Sequence, residues 1–290
     1  MKKLLSFILV ILALYVFTSC TQEEIDDFIN NSGTSELSDS EIVDGLKTAL
    51  TTGTDSSSTR LSAANGYFKD ALVKILLPPE INNAITSLRS KNFNVANVIN
   101  VSGEQLYNSG FSTLNIASLK DKEDELILGI NRAAEAAANS AGPIFKDAIV
   151  QMSFDDAKGI LNGADTSATS YLRGATYNSL FNEYEPVISN ALNSVKIGGV
   201  SVATAYENYI ADYNNIVNKK VDPTGFISDA TLGSLGNLNT VQVTDLSAYS
   251  TNKGLNGLFL KVSDEEKNIR ENPFAYISDI LQKVFGSLLK

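Results

Sequence analysis

Apolar residues recur every three to four positions along most of the chain after Ser38, a spacing that places them on one face of a helix. Clear alternation of apolar and polar residues, which is typical of half-buried strands, is absent from the sequence. The breaks between apolar runs are mostly short, which favours antiparallel neighbours. The pattern therefore predicts an all-α fold: a multi-helix, antiparallel, bundle-like domain.

The pattern is densest between Leu126 and Gly163, where Gly142 and Pro143 predict the end of one helix and the start of the next. One face of the first helix is built from Ile127, Ile130, Ala134, Ala137 and Ala141. Alanines are too small to fill a core alone, so this face predicts a close crossing with another helix, for which we expect the C-terminal one.

Two serine–carboxylate pairs have the spacing of a capping box, which marks the start of a helix. They are Ser153 with Asp156, and Ser263 with Glu266. The second pair predicts that a new helix begins near Ser263. A serine at position 38 or 40 is expected to cap the first helix of the domain.

Three segments stand out between the predicted helices. Residues 68–77 form an apolar run that Pro78 ends, and the run predicts a buried helix. Residues 92–118 are rich in Asn and Ser and predict a long loop or short helices, which we interpret as a surface insertion. Residues 221–242 are rich in Gly and Thr and predict a second irregular segment of a single domain that spans residues 38–290.

The N-terminus has the features of a secretory signal. Lys2 and Lys3 precede an uncharged apolar run, Leu4 to Phe17, that is short for a membrane span. Cys20 follows at the position where a bacterial lipoprotein signal places its lipidated residue. The sequence predicts a signal peptide at residues 1–19 and lipidation of Cys20; the alternatives are an incidental thiol and a start-transfer membrane helix.

Residues 20–37 are acidic and polar, and they predict a flexible tether behind the lipid. Their acidic cluster, residues 23–27, fits either a simple soluble linker or a tag for export to the cell surface. We therefore expect a lipid anchor in the outer membrane, on its periplasmic side or at the cell surface.

Composition limits the chemistry. The chain has a net charge of −10, which argues against nucleic acid as a partner. It has no His, and its single Cys is Cys20, so Ser-His-Asp and Cys-His systems and the usual zinc sites are excluded. We predict no metal site, no cofactor and no catalytic residue of these kinds; carboxylates, Lys, Tyr and Ser remain.

Asn131, Arg132 and Glu135 form the candidate polar cluster, because they lie within one turn of the predicted helix. One interpretation is a structural ion pair between Arg132 and Glu135; the other is a polar site facing a cleft. Three further side chains share a helix face and predict either core packing or an aromatic platform: Tyr206, Tyr209 and Tyr213.

The remaining charged groups are interpreted as structural. Asp155 and Asp156 are expected to cap a helix, since the ligand spacing of an EF-hand is absent. Glu265, Glu266 and Arg270 are expected to cap and pair along their own helix.

Seven motifs resemble an uncharacterised family of bacterial lipoproteins, a domain of unknown function of the DUF4197 type. They lie at residues 131–149, 152–163, 168–173, 185–188, 254–259, 265–273 and 280–286. The resemblance implies a helical envelope lipoprotein and no particular activity.

Two functions from different classes are consistent with the sequence. The favoured one is a non-catalytic binding or scaffolding module for an envelope protein, a peptide or a lipid, attached to the membrane through Cys20. The alternative is a carboxylate-dependent hydrolase that acts on envelope glycans, with Glu135, Asp147, Asp155 and Glu265 as the groups to examine.

Overall fold

Helices make up most of the protein in the computed structural model, which describes residues 37–95, 99–154, 157–221 and 230–289. Within these ranges there are eleven α-helices: α1 Asp39–Ser62, α2 Pro79–Arg89, α3 Gly103–Ser109, α4 Lys120–Ala138, α5 Ala141–Gln151, α6 Ala157–Leu161, α7 Ser167–Ser194, α8 Val202–Val217, α9 Leu232–Gly236, α10 Leu246–Glu271 and α11 Asp279–Gly286. The predicted all-α, multi-helix fold is confirmed.

Two small antiparallel hairpins and three short 3-10 helices complete the described structure. The hairpins pair β1 Asn92–Val95 with β2 Ile99–Ser102, and β3 Lys196–Ile197 with β4 Val200–Ser201. The 3-10 helices are Ser112–Leu114, Pro273–Ala275 and Ser287–Leu289.

The long helix α10 packs against both α1 and α7 and forms the centre of the bundle. Helices α1 and α10 meet at Gly53, where an added Cβ would lie 3.2 Å from a methyl of Val262. Helix α11, which follows α10, lies against Gly45 near the start of α1. The C-terminal end of α10 is therefore close to the N-terminal end of α1, and this pair is antiparallel.

The alanine face of α4 is buried as predicted, but its neighbours differ from the expectation. Ala133, Ala134, Ala137 and Ala138 are all buried, and α4 packs mainly against α1, α7 and α8 rather than against the C-terminal helix α11. The boundary also moves: α4 ends at Ala138, so Gly142 and Pro143 lie in the first turn of α5 instead of ending α4.

The two capping predictions on described residues have opposite outcomes. Ser38 forms a capping box with Glu41 at the start of α1, as expected. The helix predicted to begin near Ser263 does not exist, because α10 continues unbroken from Leu246 to Glu271. The Ser263 hydroxyl donates to the carbonyl of Leu260 within the same helix (2.7 Å). It therefore has a hydrogen-bond partner inside the helix and does not act as an N-cap. Asp155 and Asp156 lie outside the described residues.

The predicted helix over residues 68–77 is also wrong. These residues form turns, in which the N–H groups of Val73 and Lys74 both donate to the carbonyl of Asp70, and then a segment from 74 to 77 that is not helical. Buried side chains at Val73, Ile75 and Leu77 alternate with exposed ones at Leu72 and Leu76. Burial of every second residue is typical of extended backbone, which fits the part of the segment after the turn, positions 74 to 77. The helical spacing misled because the apolar run is short and nearly continuous, which periodicity alone does not resolve.

Residues 92–118 do more than fill a surface loop. They form the first hairpin, α3 and a 3-10 helix, and five of their side chains join the core: Phe93, Val101, Leu106, Tyr107 and Ile116. The described part of the second irregular segment includes α9, which buries Leu232; residues 222–229 lie outside the described structure. Across the described ranges, no helix combines the length and the hydropathy needed to cross a bilayer.

Candidate functional site

Asn131 acts as the hydrogen-bonding partner of an extended segment. It is fully buried on α4, and its side-chain oxygen accepts from the backbone N–H of Ile75 at 2.9 Å. Its amide nitrogen donates to the carbonyl of the same residue at 2.7 Å and to the carbonyl of Ile127 at 2.7 Å. The side chain thus takes the place that a neighbouring strand would have, and it fixes Ile75 against α4.

Glu135, one turn further along α4, holds the start of the same segment. One of its carboxylate oxygens accepts from the backbone N–H groups of Tyr67 and Phe68, each at 3.2 Å, and the other accepts from Arg132. Arg132 also donates to the side chain of Asn65 at 3.0 Å. The predicted ion pair between Arg132 and Glu135 is confirmed, and it ties residues 65–68 to the helix.

The candidate polar cluster therefore assembles as predicted, and its described polar contacts are all with protein groups. These contacts show that the cluster holds residues 65–75 in place. A ligand role for Asn131, Arg132 and Glu135 stays a prediction. Burial and the neighbouring charge of Glu135 raise the pKa of Tyr67, whose hydroxyl donates to the carbonyl of Gly254 at 2.9 Å.

Asp70 and Tyr249 hold the rest of the segment. The Asp70 side chain accepts from the N–H of Leu72 at 3.1 Å and meets the buried ammonium of Lys261 at 2.8 Å. The hydrogen bond from Lys261 keeps the pKa of Asp70 below its ordinary value. From α10, the hydroxyl of Tyr249 donates to the carbonyls of Leu76 (3.1 Å) and Leu77 (3.2 Å).

An open cavity of about 530 Å³ lies between this segment, the start of α2 and the exposed side of α10. We call it the apolar groove; its lining includes Leu72, Lys74, Leu76, Tyr249, Lys253 and Leu260. Leu72 is 75% exposed and Leu76 is 49% exposed, although the backbone that carries them is held by buried hydrogen bonds. The groove is thus a rigid surface with large apolar side chains in solvent.

Two lysines in the groove have aromatic neighbours. The ammonium of Lys74 lies 4.4 Å from the ring centroid of Phe68, and that of Lys253 lies 5.6 Å from the ring centroid of Tyr249. Neither lysine belongs to an ion pair formed between residues of the described ranges. The groove thus carries two ammonium groups in a chain whose net charge is −10.

A second open cavity, of about 390 Å³, separates α5 from α7. Asp147 and Glu183 line it from opposite helices, together with Tyr171, whose hydroxyl donates to the carbonyl of Ser153 at 2.7 Å. Of the other carboxylates considered for catalysis, Glu135 is bonded as described above and Glu265 accepts from the hydroxyl of Tyr276 at 2.9 Å. Asp147 is therefore the one examined carboxylate for which the described structure shows a second carboxylate across a cavity.

Glu266 and Arg270 pair along their own helix, as the sequence predicts, but the pair is buried and its other contacts lie on neighbouring helices. Glu266 was expected to cap its own helix; instead it accepts from the N–H groups of Ala168 (3.0 Å) and Thr169 (2.8 Å) at the start of α7. Arg270 donates to Glu266 and to the carbonyl of Leu161 at the end of α6 (2.7 Å). The signal for this role was a carboxylate and an arginine four residues apart on an otherwise apolar helix face.

The three tyrosines of α8 are core residues. All three side chains are buried, and their hydroxyl groups find partners at the edge of the core: Tyr209 donates to Glu123 at 2.6 Å, and Tyr213 donates to the carbonyl of Asn239 at 3.1 Å. Burial and the contact with Glu123 raise the pKa of Tyr209. The core interpretation is confirmed, and these rings offer no exposed platform.

Among the described residues, no group of three or more His, Cys, Asp or Glu side chains is arranged to hold a metal ion. Cys20, the predicted lipidation site, lies outside the described residues, as does the predicted signal peptide.

Comparison with known proteins gives one finding. A family model described as a protein of unknown function (DUF4197) matches residues 36–100 and 104–286. No curated protein and no solved structure matches the chain. Most of residues 92–118 fall within the match, so they belong to the family's common sequence rather than to an insertion.

Proposed function

The chain belongs to the DUF4197 family of proteins of unknown function, and from that premise we propose that it is a non-catalytic binding lipoprotein of the cell envelope. The family assigns no activity. The observation that carries the proposal is the apolar groove, in which Leu72 and Leu76 stand in solvent on a segment that buried bonds hold in place.

Exposed leucines on flexible backbone can turn inward to escape water, and then they carry no functional information. Here the backbone on either side of Leu72 and Leu76 is fixed by Asp70, Asn131 and Tyr249, so the leucines keep an exposed position. Large apolar side chains gathered in a cavity commonly mark an interaction site. A site that is already rigid also loses less conformational entropy when a ligand binds.

A fluorescent apolar anion, 1-anilinonaphthalene-8-sulfonate, tests this use of the groove. We expect the mature chain to bind the dye and the double variant Leu72→Ser, Leu76→Ser to bind it about tenfold more weakly, because each leucine contributes apolar contact area. The matched control is Leu235→Ser with Val243→Ser, which replaces two comparably exposed residues outside the groove. Equal dye binding by both double variants would contradict the proposal.

The envelope location rests on the N-terminal sequence. Lys2, Lys3, the apolar run and Cys20 support removal of residues 1–19 and attachment through lipid on Cys20. Several acyl chains are needed for stable anchoring. We expect Cys20→Ala to move the protein from the membrane fraction to the soluble fraction; a variant that stays in the membrane as firmly as the wild type would refute the anchor. The face of the outer membrane, periplasmic or external, then follows from protease access to intact cells.

A carboxylate-dependent hydrolase that acts on envelope glycans is the second candidate, and the cavity with Asp147 and Glu183 favours it. Such enzymes need two carboxylates about 5 to 10 Å apart across an open cleft. The test is release of soluble fragments from purified peptidoglycan by the mature chain. Activity that is lost in both Asp147→Asn and Glu183→Gln would establish the hydrolase, and the absence of any release would remove it.

A further inference from the structure

Two polar side chains of α10 bring hydrogen-bond donors to the apolar groove. Lys253 and Asn256 lie three residues apart on this helix, and both line the groove. The amide oxygen of Asn256 accepts from the guanidinium of Arg173 at 2.5 Å. Because an arginine can only donate, the amide oxygen is the atom that it holds, and the amide nitrogen of Asn256 remains as a donor.

Lys74 adds a third donor from the opposite wall. Val73 packs against α10 at Gly257, where an added Cβ would lie 3.3 Å from the Cβ of Val73. Lys74 follows Val73 and Gly257 follows Asn256, so Lys74, Lys253 and Asn256 border the same stretch of the groove. An ammonium and an amide nitrogen donate hydrogen bonds and accept none. A group that fills this stretch therefore needs acceptor atoms, and a negative charge suits it best.

Asp70, Asp264 and Glu80 are carboxylates near the groove, and their positions matter for the charge of a ligand. Asp70 and Asp264 both meet the buried ammonium of Lys261, at 2.8 and 3.6 Å. Glu80 lies in the first turn of α2, where the positive end of the helix dipole offsets part of its charge. Burial and the charge of Glu80 raise the pKa of Tyr249, so Glu80 lies toward the Tyr249 end of the groove. The three donors centre about two turns further along α10, which leaves that end for an anion.

The apolar part of the groove suits an acyl chain better than a peptide. Peptides that bind along extended backbone gain much of their affinity from main-chain hydrogen bonds. Here the hydroxyl of Tyr249 already takes the carbonyls of Leu76 and Leu77, and Asn131 takes both backbone groups of Ile75. An acyl chain needs apolar contact alone, and the exposed leucines of the groove supply it.

We propose that the apolar groove binds an anionic lysophospholipid, an amphiphile with one acyl chain and a phosphate-bearing head group. The phosphate lies between Lys74, Lys253 and Asn256, and the acyl chain lies against Leu72 and Leu76. This inference rests on the proposed binding function of the groove and names the class of its ligand. The cavity of about 530 Å³ has the size of a site for one small ligand, about 300 to 1,000 Å³, which favours one acyl chain over two. The proposed lipid anchor keeps the groove beside a phospholipid membrane, which is the source of such a ligand.

Calorimetric titration of the full mature chain tests the head group, with Cys20→Ser in place so that no attached lipid competes for the groove. The two ligands are myristoyl lysophosphatidylglycerol and monomyristoylglycerol, each below its critical micelle concentration. They share one acyl chain and differ in the charged phosphate. We expect the charged ligand to bind about tenfold more tightly, because its phosphate forms charge-assisted hydrogen bonds. Equal affinities would overturn the proposal.

Removal of the two ammonium groups tests where the phosphate binds. Lys74→Gln with Lys253→Gln should weaken binding of the charged ligand about tenfold and leave binding of monomyristoylglycerol unchanged. The matched control is Lys146→Gln with Lys219→Gln, which changes the net charge by the same amount at two lysines outside the groove and should leave both affinities unchanged. If both double variants weaken binding of the charged ligand equally, the charge of the whole chain attracts it and the proposal fails.

A second matched pair of variants tests the amide of Asn256. Asn256→Asp keeps an oxygen for Arg173 but replaces the donor with a second acceptor, so it should weaken binding of the charged ligand about tenfold. Asn252→Asp makes the same change of charge one helical turn earlier, where the side chain accepts from Tyr177 and does not line the groove. Its effect should be clearly smaller, and equal losses in the two variants would overturn the placement of the phosphate.

Dye binding separates failure of this inference from failure of the proposed function. Leu72→Ser with Leu76→Ser should weaken binding of both myristoyl ligands as well as of the dye, because all three use the apolar part of the groove. If dye binding depends on these leucines but the charged ligand has no advantage over the uncharged one, the groove binds ligands and this inference alone fails. If neither the dye nor the two ligands respond to the leucines, the function proposed for the groove fails, and this inference fails with it.

Discussion

Glu135 on α4 and Glu266 on α10 are two buried carboxylates with the same kind of bonding in different parts of the bundle. Each accepts two backbone N–H groups from a segment distant in sequence, and each is paired with an arginine on its own helix. Both therefore attach a chain segment to a long helix through charge-assisted hydrogen bonds, which are stronger than neutral ones.

The two networks differ in what they attach and in how much water they meet. Glu266 receives the first N–H groups of α7, and its partner Arg270 is only 6% exposed. Glu135 receives the N–H groups of a segment that is not helical, and the side chain of its partner Arg132 is 35% exposed. The first network joins helices inside the core. The second fixes an extended segment whose far side is the apolar groove.

The comparison suggests that one kind of buried carboxylate network can have two uses. Glu266 joins helices within the core, and Glu135 positions a segment that borders the apolar groove. At α7 the bonds replace a local N-cap, because Thr166 makes no side-chain capping bond there. At residues 65–75 they replace the neighbouring strands that would normally hold extended backbone. Of these two described networks, it is the second that holds a segment with exposed leucines, Leu72 and Leu76.

The largest effect should follow from breaking the enclosed network. We expect Glu266→Gln to destabilise the mature chain by about 3 to 5 kcal/mol, because Arg270 then keeps its charge in the core without a counter-charge. The measurement is urea denaturation followed by far-UV circular dichroism.

A double variant sharpens this prediction. Glu266→Met with Arg270→Met removes both charges and should be less destabilising than Glu266→Gln alone, since no unpaired charge remains. A loss below about 1 kcal/mol for Glu266→Gln would mean that water reaches the pair, as it does at surface ion pairs.

Breaking the second network should lower the free energy of unfolding by less than breaking the first, and it should weaken dye binding to the groove by more. We expect Glu135→Gln to destabilise the chain by about 1 to 3 kcal/mol, the usual loss when a buried acceptor is impaired. Amide exchange should accelerate at Tyr67 and Phe68, and binding of the apolar dye should weaken as the groove segment loosens. Glu266→Gln is the matched control for function: under conditions where it is still folded, its dye affinity should equal that of the wild type. The reverse pattern would show that the groove does not depend on Glu135.

Replacing Arg132, the arginine of the second network, should have the next largest effect on stability. Arg132→Ala should cost about 1 kcal/mol, because Glu135 keeps its two backbone donors and water can approach from the side where Arg132 is exposed. Urea midpoints give this value directly. A loss as large as that of Glu266→Gln would indicate that Arg132 is buried in solution and that the two networks are equivalent.

The sequence predicted most helices because apolar spacing reports which face of a helix is buried, and that holds for α1, α4, α8 and α10. It also brought Asn131, Arg132 and Glu135 together, since residues within one helical turn are neighbours in any fold that keeps the helix. The hydrogen-bond partners of these side chains on residues 65–75 could not be predicted from the sequence, because a buried side chain that bonds distant backbone leaves no periodic pattern.

The errors have related physical causes. Ser263 and Glu266 have the spacing of a capping box, which predicts that Glu266 accepts hydrogen bonds from the N–H groups at the start of its own helix. Glu266 does accept such bonds, but from the first N–H groups of α7. Residues 68–77 were predicted as a helix because a compact apolar run fits either period. The groove could not be predicted at all, since Tyr249 and Lys253 approach it from a distant helix.

The smallest effect should come from a half-exposed carboxylate at the surface, which provides the reference for both buried ones. Glu41, at the start of α1, is bonded to Lys283 and to the backbone of Ser38, and these bonds lower the pKa of Glu41 from 4.5 to about 2. A carboxylate with a lowered pKa in the folded state stabilises the fold above its ordinary pKa, and this contribution is lost as the pH falls from about 4.5 toward 2. Lys283→Ala should therefore lower the urea midpoint slightly at pH 7, and the difference from the wild type should shrink across that range. Lys146→Ala, an exposed lysine outside the described ion pairs, should show no such dependence. A difference between Lys283→Ala and the wild type that is equal at pH 7 and pH 2.5, about half a unit above that lowered pKa, would show that Lys283 acts through packing rather than through charge.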